Sequence, residues 1–252
     1  KYEIEEKIRY ELPLTDNTLN LANPEDKSTF TDISFIDDPV RGMVADFNGN
    51  SSYIDIRSEI EGNLEELSIS AWIKPREVDG SFSLIGKGEA FSAKLYFGRL
   101  QFTTPAIKDH TTAQRFVVPD KWHHIAYVYI PEKKLYFYLN GELIDEVAAS
   151  SIEQTDHALL IGTNLWGQHY NGLLSDLKIW DRALSDQEVL EVSQASTGLQ
   201  QTAKLKWWWV FMVISSLVII VAFIFYTRRS QKKSAVVHQA PKKLLDSEFA
   251  SN

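Results

Sequence analysis

The chain has 252 residues, with 26 lysines and arginines against 34 aspartates and glutamates, a formal net charge of −8. It has no cysteine, so disulfides are excluded as a staple and a sizeable apolar core must hold the fold. Residues 1–206 carry 20 basic and 32 acidic side chains, whereas residues 207–252 carry 6 and 2. That strongly acidic N-terminal part argues against nucleic acid as its ligand.

In chain order, the first clear strand is ELSISAWIKP, where Leu67, Ile69, Ala71 and Ile73 alternate. AKLYFG, RLQF and QRFVV are shorter strand-like runs, and WHHIAYVYI is a longer one rich in β-branched and aromatic residues. KLYFYLN alternates again, and ALLIG follows. Gly49, Asp79-Gly80, Gly86-Lys87-Gly88, Pro119-Asp120, Asn140-Gly141, Gly162 and Gly172 supply turn signals between the runs. Asn140-Gly141 suits a two-residue hairpin turn that pairs KLYFYL with ELIDEV. A short helix is expected after Leu184, capped by Ser185 with Glu188 completing a capping box.

Residues 194–206 read as a polar juxtamembrane linker. Residues 207–226, WWWVFMVISSLVIIVAFIFY, are apolar apart from Ser215 and Ser216. At about 1.5 Å per residue they reach roughly 30 Å, a hydrocarbon core. Trp207, Trp208, Trp209 and Tyr226 lie where rings prefer the headgroup layer, and Arg228, Arg229, Lys232 and Lys233 follow on the side that stays cytoplasmic. The expected organisation is an ectodomain at 1–193, the linker at 194–206, a transmembrane helix at 207–227 and a basic cytoplasmic tail at 228–252. This organisation implies a single-pass protein with its N-terminal domain expected outside the cytoplasm and lipid expected as one partner. No signal peptide is visible at Lys1, so the sequence is expected to be processed or a fragment. A large cysteine-free ectodomain leans toward a bacterial cytoplasmic (inner) membrane protein.

Several segments occur together in one order: RYELPLTDNTLNLAN, VADFNGNSSYIDI, LSISAWIKP, KWHHIAYVYIPEKKLYFYLNGELI, ALLIGTN and YNGLLSDLKIWDRALSDQEV. Over about residues 8–193 the chain resembles the laminin-G-like, concanavalin A-like jelly rolls, in the branch that also resembles pentraxins. The resemblance implies an all-β, two-sheet antiparallel jelly-roll sandwich, here with one C-terminal transmembrane α-helix. It also implies binding of glycans or proteins, often with calcium. Glycanases of this fold carry Glu-x-Asp-x-x-Glu on a strand, with paired carboxylates as nucleophile and acid. The nearest segment here, Tyr53-Ile54-Asp55-Ile56-Arg57-Ser58-Glu59, has Tyr53 in place of the leading Glu. No G-x-S-x-G, H-E-x-x-H or phosphate-binding glycine loop substitutes. Adjacent strand residues face opposite ways, so His123-His124 reads as packing rather than a metal pair.

Calcium takes six to eight oxygens. The loop after ALLIG lacks the carboxylates of a pentraxin-type double site, so a single structural ion is the expectation. Asp176 matches the family's acidic residue in the closing strand, Asn48 its F-D-G turn position, and Asp16 its N-terminal strand region.

The same loop, 163–170, holds Trp166, His169 and Tyr170 for stacking on sugar faces, with Asn164 and Gln168 for hydroxyls. It carries no charge, which suits a neutral polyol. The polar segment 104–115 is the expected opposite wall, and Tyr127, Tyr129, Tyr136 and Tyr138 form a candidate row on a sheet face.

The leading expectation is a membrane-anchored, non-catalytic ligand-binding or sensing protein for a glycan or an envelope protein. A glycan-cleaving enzyme of the same fold and a structural subunit with a membrane-protein partner are the alternatives.

Overall fold

The structure is a computed structural model that describes residues 4–26, 28–56 and 66–195, together with Ser215. The chain divides into two compact units, 1–197 and 198–252. The expected span at 207–227 lies outside the described residues except for Ser215. Among the described residues, no helix is long and apolar enough to cross a membrane.

The strands in chain order are β1 (Ile8–Leu12), β2 (Ser28–Thr31), β3 (Ser34–Asp38), β4 (Gly42–Asn48), β5 (Tyr53–Ile56), β6 (Leu67–Pro75), β7 (Ser81–Lys87), β8 (Phe91–Tyr96), β9 (Arg99–Thr104) and β10 (Lys108–Thr111). They continue with β11 (His123–Ile130), β12 (Lys134–Leu139), β13 (Glu142–Ala148), β14 (Leu159–Ile161) and β15 (Asn171–Trp180), and α1 (Asp186–Gln194) follows. One sheet has the order β13-β12-β11-β6-β15-β4-β3, with β1 added beside β15. The other has the order β10-β9-β8-β7-β14-β5-β2. The strand pairings are antiparallel in both sheets.

Alternation drives the layering, because every second side chain of a strand points to the same face. Ile69, Ala71 and Ile73 of β6 join Tyr127 and Tyr129 of β11 in the core between the sheets, with Ala93 and Leu95 of β8 and Leu100 and Phe102 of β9. Phe102 stacks on Phe91 with ring centres 5.5 Å apart and on Tyr129 at 5.2 Å.

A second apolar cluster covers the outer face of the first sheet. There Ala126, Val128, Tyr138 and Trp180 pack against Leu184, Val189 and Val192. α1 begins as the sequence predicts: Ser185 caps it, and Glu188 completes the capping box. The Asn140-Gly141 turn also forms as expected, with φ of 53° and 86°. β12 and β13 pair across it. A Cβ on Gly141 would lie 2.4 Å from Ser193 Oγ, so this turn must be glycine for α1 to approach.

Several expectations change. QRFVV is not a strand: Phe116 and Val117 both donate their backbone N–H to the Gly98 carbonyl, which folds the run back as a loop before Pro119. The turn expected at Gly86-Lys87-Gly88 forms one step later, with Gly88 at φ 44° and Ala90 N–H bonded to the Lys87 carbonyl after β7 ends, whereas Gly172 lies inside β15 and is not a turn. β2 and β3, which no alternation announced, form sheet edges. The tyrosine row splits between faces. Tyr127 and Tyr129 point into the core, while Tyr136 and Tyr138 oppose Val128 and Ala126 on the outer face.

Candidate functional site

The loop after β14 lies against the second sheet because Asn164 holds it there. Asn164 is buried, and its Oδ1 accepts from the backbone N–H of Trp166 at 3.1 Å and of Gln168 at 3.3 Å. Its Nδ2 donates to Gln168 Oε1 at 2.8 Å and to Ser92 Oγ at 3.2 Å. The main chain adds a bond from Ser83 N–H to the Gln168 carbonyl at 3.0 Å. Gly86 makes the approach possible, since a Cβ there would sit 2.7 Å from that of Asn164.

This clamp displays Trp166, whose side chain is 50% exposed. Across from it stands the β9–β10 hairpin, turned at Pro105-Ala106-Ile107, with Ala106 at φ 59° and Ile107 N–H bonded to the Thr104 carbonyl. Between them lies a groove of about 530 Å³, lined by Trp166, Gln168, Lys94 and residues 103–109. Of the segment 104–115 expected as a wall, residues 104–109 line this groove, as a hairpin rather than a long loop, and residues 110–115 do not.

Lys94 of β8 lines this groove and was not anticipated. It is only 6% exposed, yet no hydrogen bond or ion pair among the described residues engages its ammonium. Its Nζ lies 5.7 Å from the centre of the Trp166 ring, within cation–π range. Burial pushes its pKa below the ordinary lysine value, while the charge of Asp109 pulls the other way. Asp109 itself accepts from Thr103 Oγ1 at 2.6 Å. Alternation in F-S-A-K-L-Y puts Lys94 on the face away from the core. Only the fold of the distant 163–168 loop makes that face a groove floor.

The remaining expected binding residues are placed differently. Tyr170 is fully buried, packs edge-on against Phe47 at 6.0 Å and donates its hydroxyl to the Leu173 carbonyl at 3.0 Å. It is a core residue, because the chain turns inward to begin β15. His169 is half-buried and is not among the residues that line the groove. Asn164 spends its amide on the loop and has a structural role, so Trp166 and Gln168 are the expected residues that reach the groove.

The expected calcium ligands do not fit an ion. Asp176 sits at a bulge in β15 with φ 51°, and its carboxylate is paired with the Arg41 guanidinium. Asn48 Oδ1 accepts from the backbone N–H groups of Asn50, Ser51 and Ser52 at 2.8, 2.9 and 3.2 Å, capping its own turn. Asp16 accepts at its Oδ1 from neighbouring Thr15 and Asn17. Among the described residues, no group of three or more His, Cys, Asp or Glu side chains is arranged to hold a metal.

The histidine pair diverges as strand geometry requires. His124 Nε2 meets Ser70 Oγ at 2.7 Å, with its ring 5.3 Å from that of Trp72. Burial, and then the charge of Arg41, push its pKa down to about 3. His123 Nε2 instead lies 3.2 Å from the Val118 carbonyl.

The family model described as the concanavalin A-like lectin/glucanases superfamily (Laminin_G_3) matches residues 48–190. The chain belongs to this superfamily. The sequence has no match among curated proteins. Among solved structures, it is similar to the binding domain of Paraclostridial Mosquitocidal Protein 1, with a TM-score of 0.63 and 19% identity over 75% of this chain. Domain 4 of AbnA, an extracellular arabinanase from Geobacillus stearothermophilus solved with arabinotriose, gives 0.62 and 18% over 74% of this chain and 98% of that domain. A structure of botulinum neurotoxin type C, whose cell entry depends on two ganglioside molecules, gives 0.60 and 12% over 77% of this chain. The chain spans about half the length of the two toxin chains, 52% in each case. At these identities the likeness is one of fold.

Proposed function

We propose that this domain binds a glycan without cleaving it, in the groove between Trp166 and the β9–β10 hairpin. The observation that carries the reading is the half-exposed Trp166 indole, held by the Asn164 clamp over a groove edged with polar groups. An indole face stacks on the C–H face of a sugar, while Gln168, Thr103 and Asp109 offer hydrogen bonds to hydroxyls. The arabinanase domain with its arabinotriose and the ganglioside-dependent neurotoxin support the reading by analogy of fold. Binding without cutting is supported by the chemistry of the groove. Asp109 is its one carboxylate among the described residues, and glycoside cleavage in this manner takes two.

The segment 207–227 is proposed to anchor the domain at a membrane, N-terminal side outward, from the sequence pattern alone. Reporter fusions after residues 206 and 240 test this, and a cytoplasmic reporter active at the first site would reverse it. For the binding site, the test is a glycan array with the whole domain and its Trp166→Ala variant. Loss of roughly tenfold in affinity for a bound glycan is expected from removal of one stacking ring. Release of shortened oligosaccharides, or array binding indifferent to Trp166, would refute the reading.

A further inference from the structure

We infer that the glycan taken by this groove carries a carboxylate, and that Lys94 is the residue that selects it. The inference rests on the groove being the binding site. An ammonium that opens into a groove while its stem is buried is held in place to meet an anion or a hydrogen-bond acceptor there. The stem of Lys94 is buried, its residue being 6% exposed, while its ammonium lines the groove and makes no hydrogen bond or ion pair among the described residues. The neighbouring anion, Asp109, acts on it through space, but its Oδ1 is held by Thr103. Three ammonium donors therefore lie on the groove floor beside the aromatic ring of one wall. A sugar stacked on Trp166 brings its ring substituents toward the ammonium, whose Nζ lies 5.7 Å from the indole centre. A hydroxyl there makes an ordinary hydrogen bond. A carboxylate makes a charge-assisted one in a partly dry setting, roughly twice as strong. Lys108, also on the groove wall, adds a second positive charge near the entrance. The sequence alone suggested a neutral polyol, because the 163–170 loop carries no charge. The charge comes instead from β8, beneath that loop.

Acidic sugars come in two chemical kinds, sialic acids and uronic acids, which place the carboxylate differently on the ring. The experiment is an array, followed by titration, that pairs sialylated and uronate-containing oligosaccharides with their neutral counterparts. Wild-type protein should bind one acidic set at least about tenfold more tightly than its neutral partner, and the set that binds identifies the source. Lys94→Met, which keeps the length and removes the charge, should bring that ratio to about one while weak binding to the neutral sugar persists. Lys94→Arg should retain a preference for the acidic sugar. Asp109→Asn keeps an acceptor for Thr103 and removes the competing anion, so it should tighten acidic-sugar binding severalfold even if Lys94→Met fails to fold. A wild-type protein that binds neutral glycans through Trp166 as tightly as acidic ones would overturn the Lys94 assignment and leave the glycan groove standing. So would unchanged selectivity in Lys94→Met, or unchanged affinity in Asp109→Asn. Absence of binding to every glycan would overturn both.

Discussion

Asp176 already holds a cation: the Arg41 guanidinium, which lies over the Trp72 ring at 4.2 Å. Beside this pair, Asp38 accepts from Trp122 Nε1 at 2.9 Å and from Lys74 Nζ at 3.0 Å. Two acidic residues therefore share the outer face of the first sheet with an arginine, a lysine and two indoles, and each carboxylate is paired with a cation. A metal ion entering here would have to displace Arg41 from a nearly closed site.

The pair makes a stability prediction. Arg41 is 8% exposed, so Asp176→Ala leaves a buried charge without its partner and should cost roughly 3 kcal/mol. Denaturant unfolding of the two proteins measures it. The melting temperature of wild-type protein should be the same in calcium and in chelator. A calcium-dependent rise that disappears in Asp176→Ala would show the pairing to be displaceable.

Two aromatic residues of one loop should behave oppositely. Tyr170→Ala empties a fully buried site and should cost about 3–5 kcal/mol, and Tyr170→Phe about 1 kcal/mol through the lost bond to Leu173. Trp166→Ala should change stability by about 0.5 kcal/mol or less, since half of its surface is already in water. Thermal or urea unfolding of all three variants gives the comparison.

His124 makes folding sensitive to mild acid. Its folded pKa, about 3, lies below the ordinary 6.5 of an exposed histidine. Its neutral form is therefore the folded form, and its contribution is complete above pH 6.5. Below that pH the unfolded chain takes up a proton that the folded chain refuses. Stability should then fall by about 1.4 kcal/mol per pH unit toward pH 3. His110 and His123, both pushed down first by burial, act in the same direction. Unfolding free energies from pH 8 to pH 4 should show this slope reduced in His124→Gln. An identical slope in the variant would assign the acid sensitivity elsewhere.

Glu188 adds a later acid step. Its hydrogen bond with Arg182, at 2.7 Å, and those from Ser185 hold its pKa at about 2 against an ordinary 4.5, despite some opposing burial. The depressed value means that its stabilisation is present above pH 4.5 and disappears as pH falls through 2. Glu188→Gln should remove on the order of 1–2 kcal/mol at neutral pH, allowing for screening, and flatten the stability curve between those values. Fraying of α1, followed by helical circular dichroism, is the accompanying signal.

The parts of the fold legible in the sequence are those that local physics decides. Asn140-Gly141 specifies its turn by its own backbone preferences, and Ser185 with Glu188 closes a helix end within four residues. The alternation of Leu67 through Ile73 names its core face without help from elsewhere. The groove was half legible: Trp166 and the 104–109 part of the expected wall could be paired from their loop positions, but Lys94 could not, because its burial comes from a loop some seventy residues later. Tyr170 misled for the same reason. Beside Trp166 and His169 it looks like one more displayed ring, and only the inward start of β15 under Phe47 makes it core. Asp176 was placed correctly in the closing strand, but its role depends on Arg41, which no nearby motif announces.

β15 has a further consequence, for how the domain is made. It is the strand that joins the two parts of its sheet: β6 lies along one edge, and β4 followed by β1 lies along the other. The ion pair from Arg9 to Asp181 spans 172 positions of chain. A polypeptide emerging from the ribosome N-terminus first therefore has β1, β4 and β6 long before the strand that unites them. Until Asn171–Trp180 appears, the inner edges of β4 and β6 carry open backbone donors and acceptors, which are templates for pairing with other chains. Productive folding is thus delayed to the end of domain synthesis, and a nascent chain stalled before residue 171 should be a substrate for chaperones rather than a smaller folded domain.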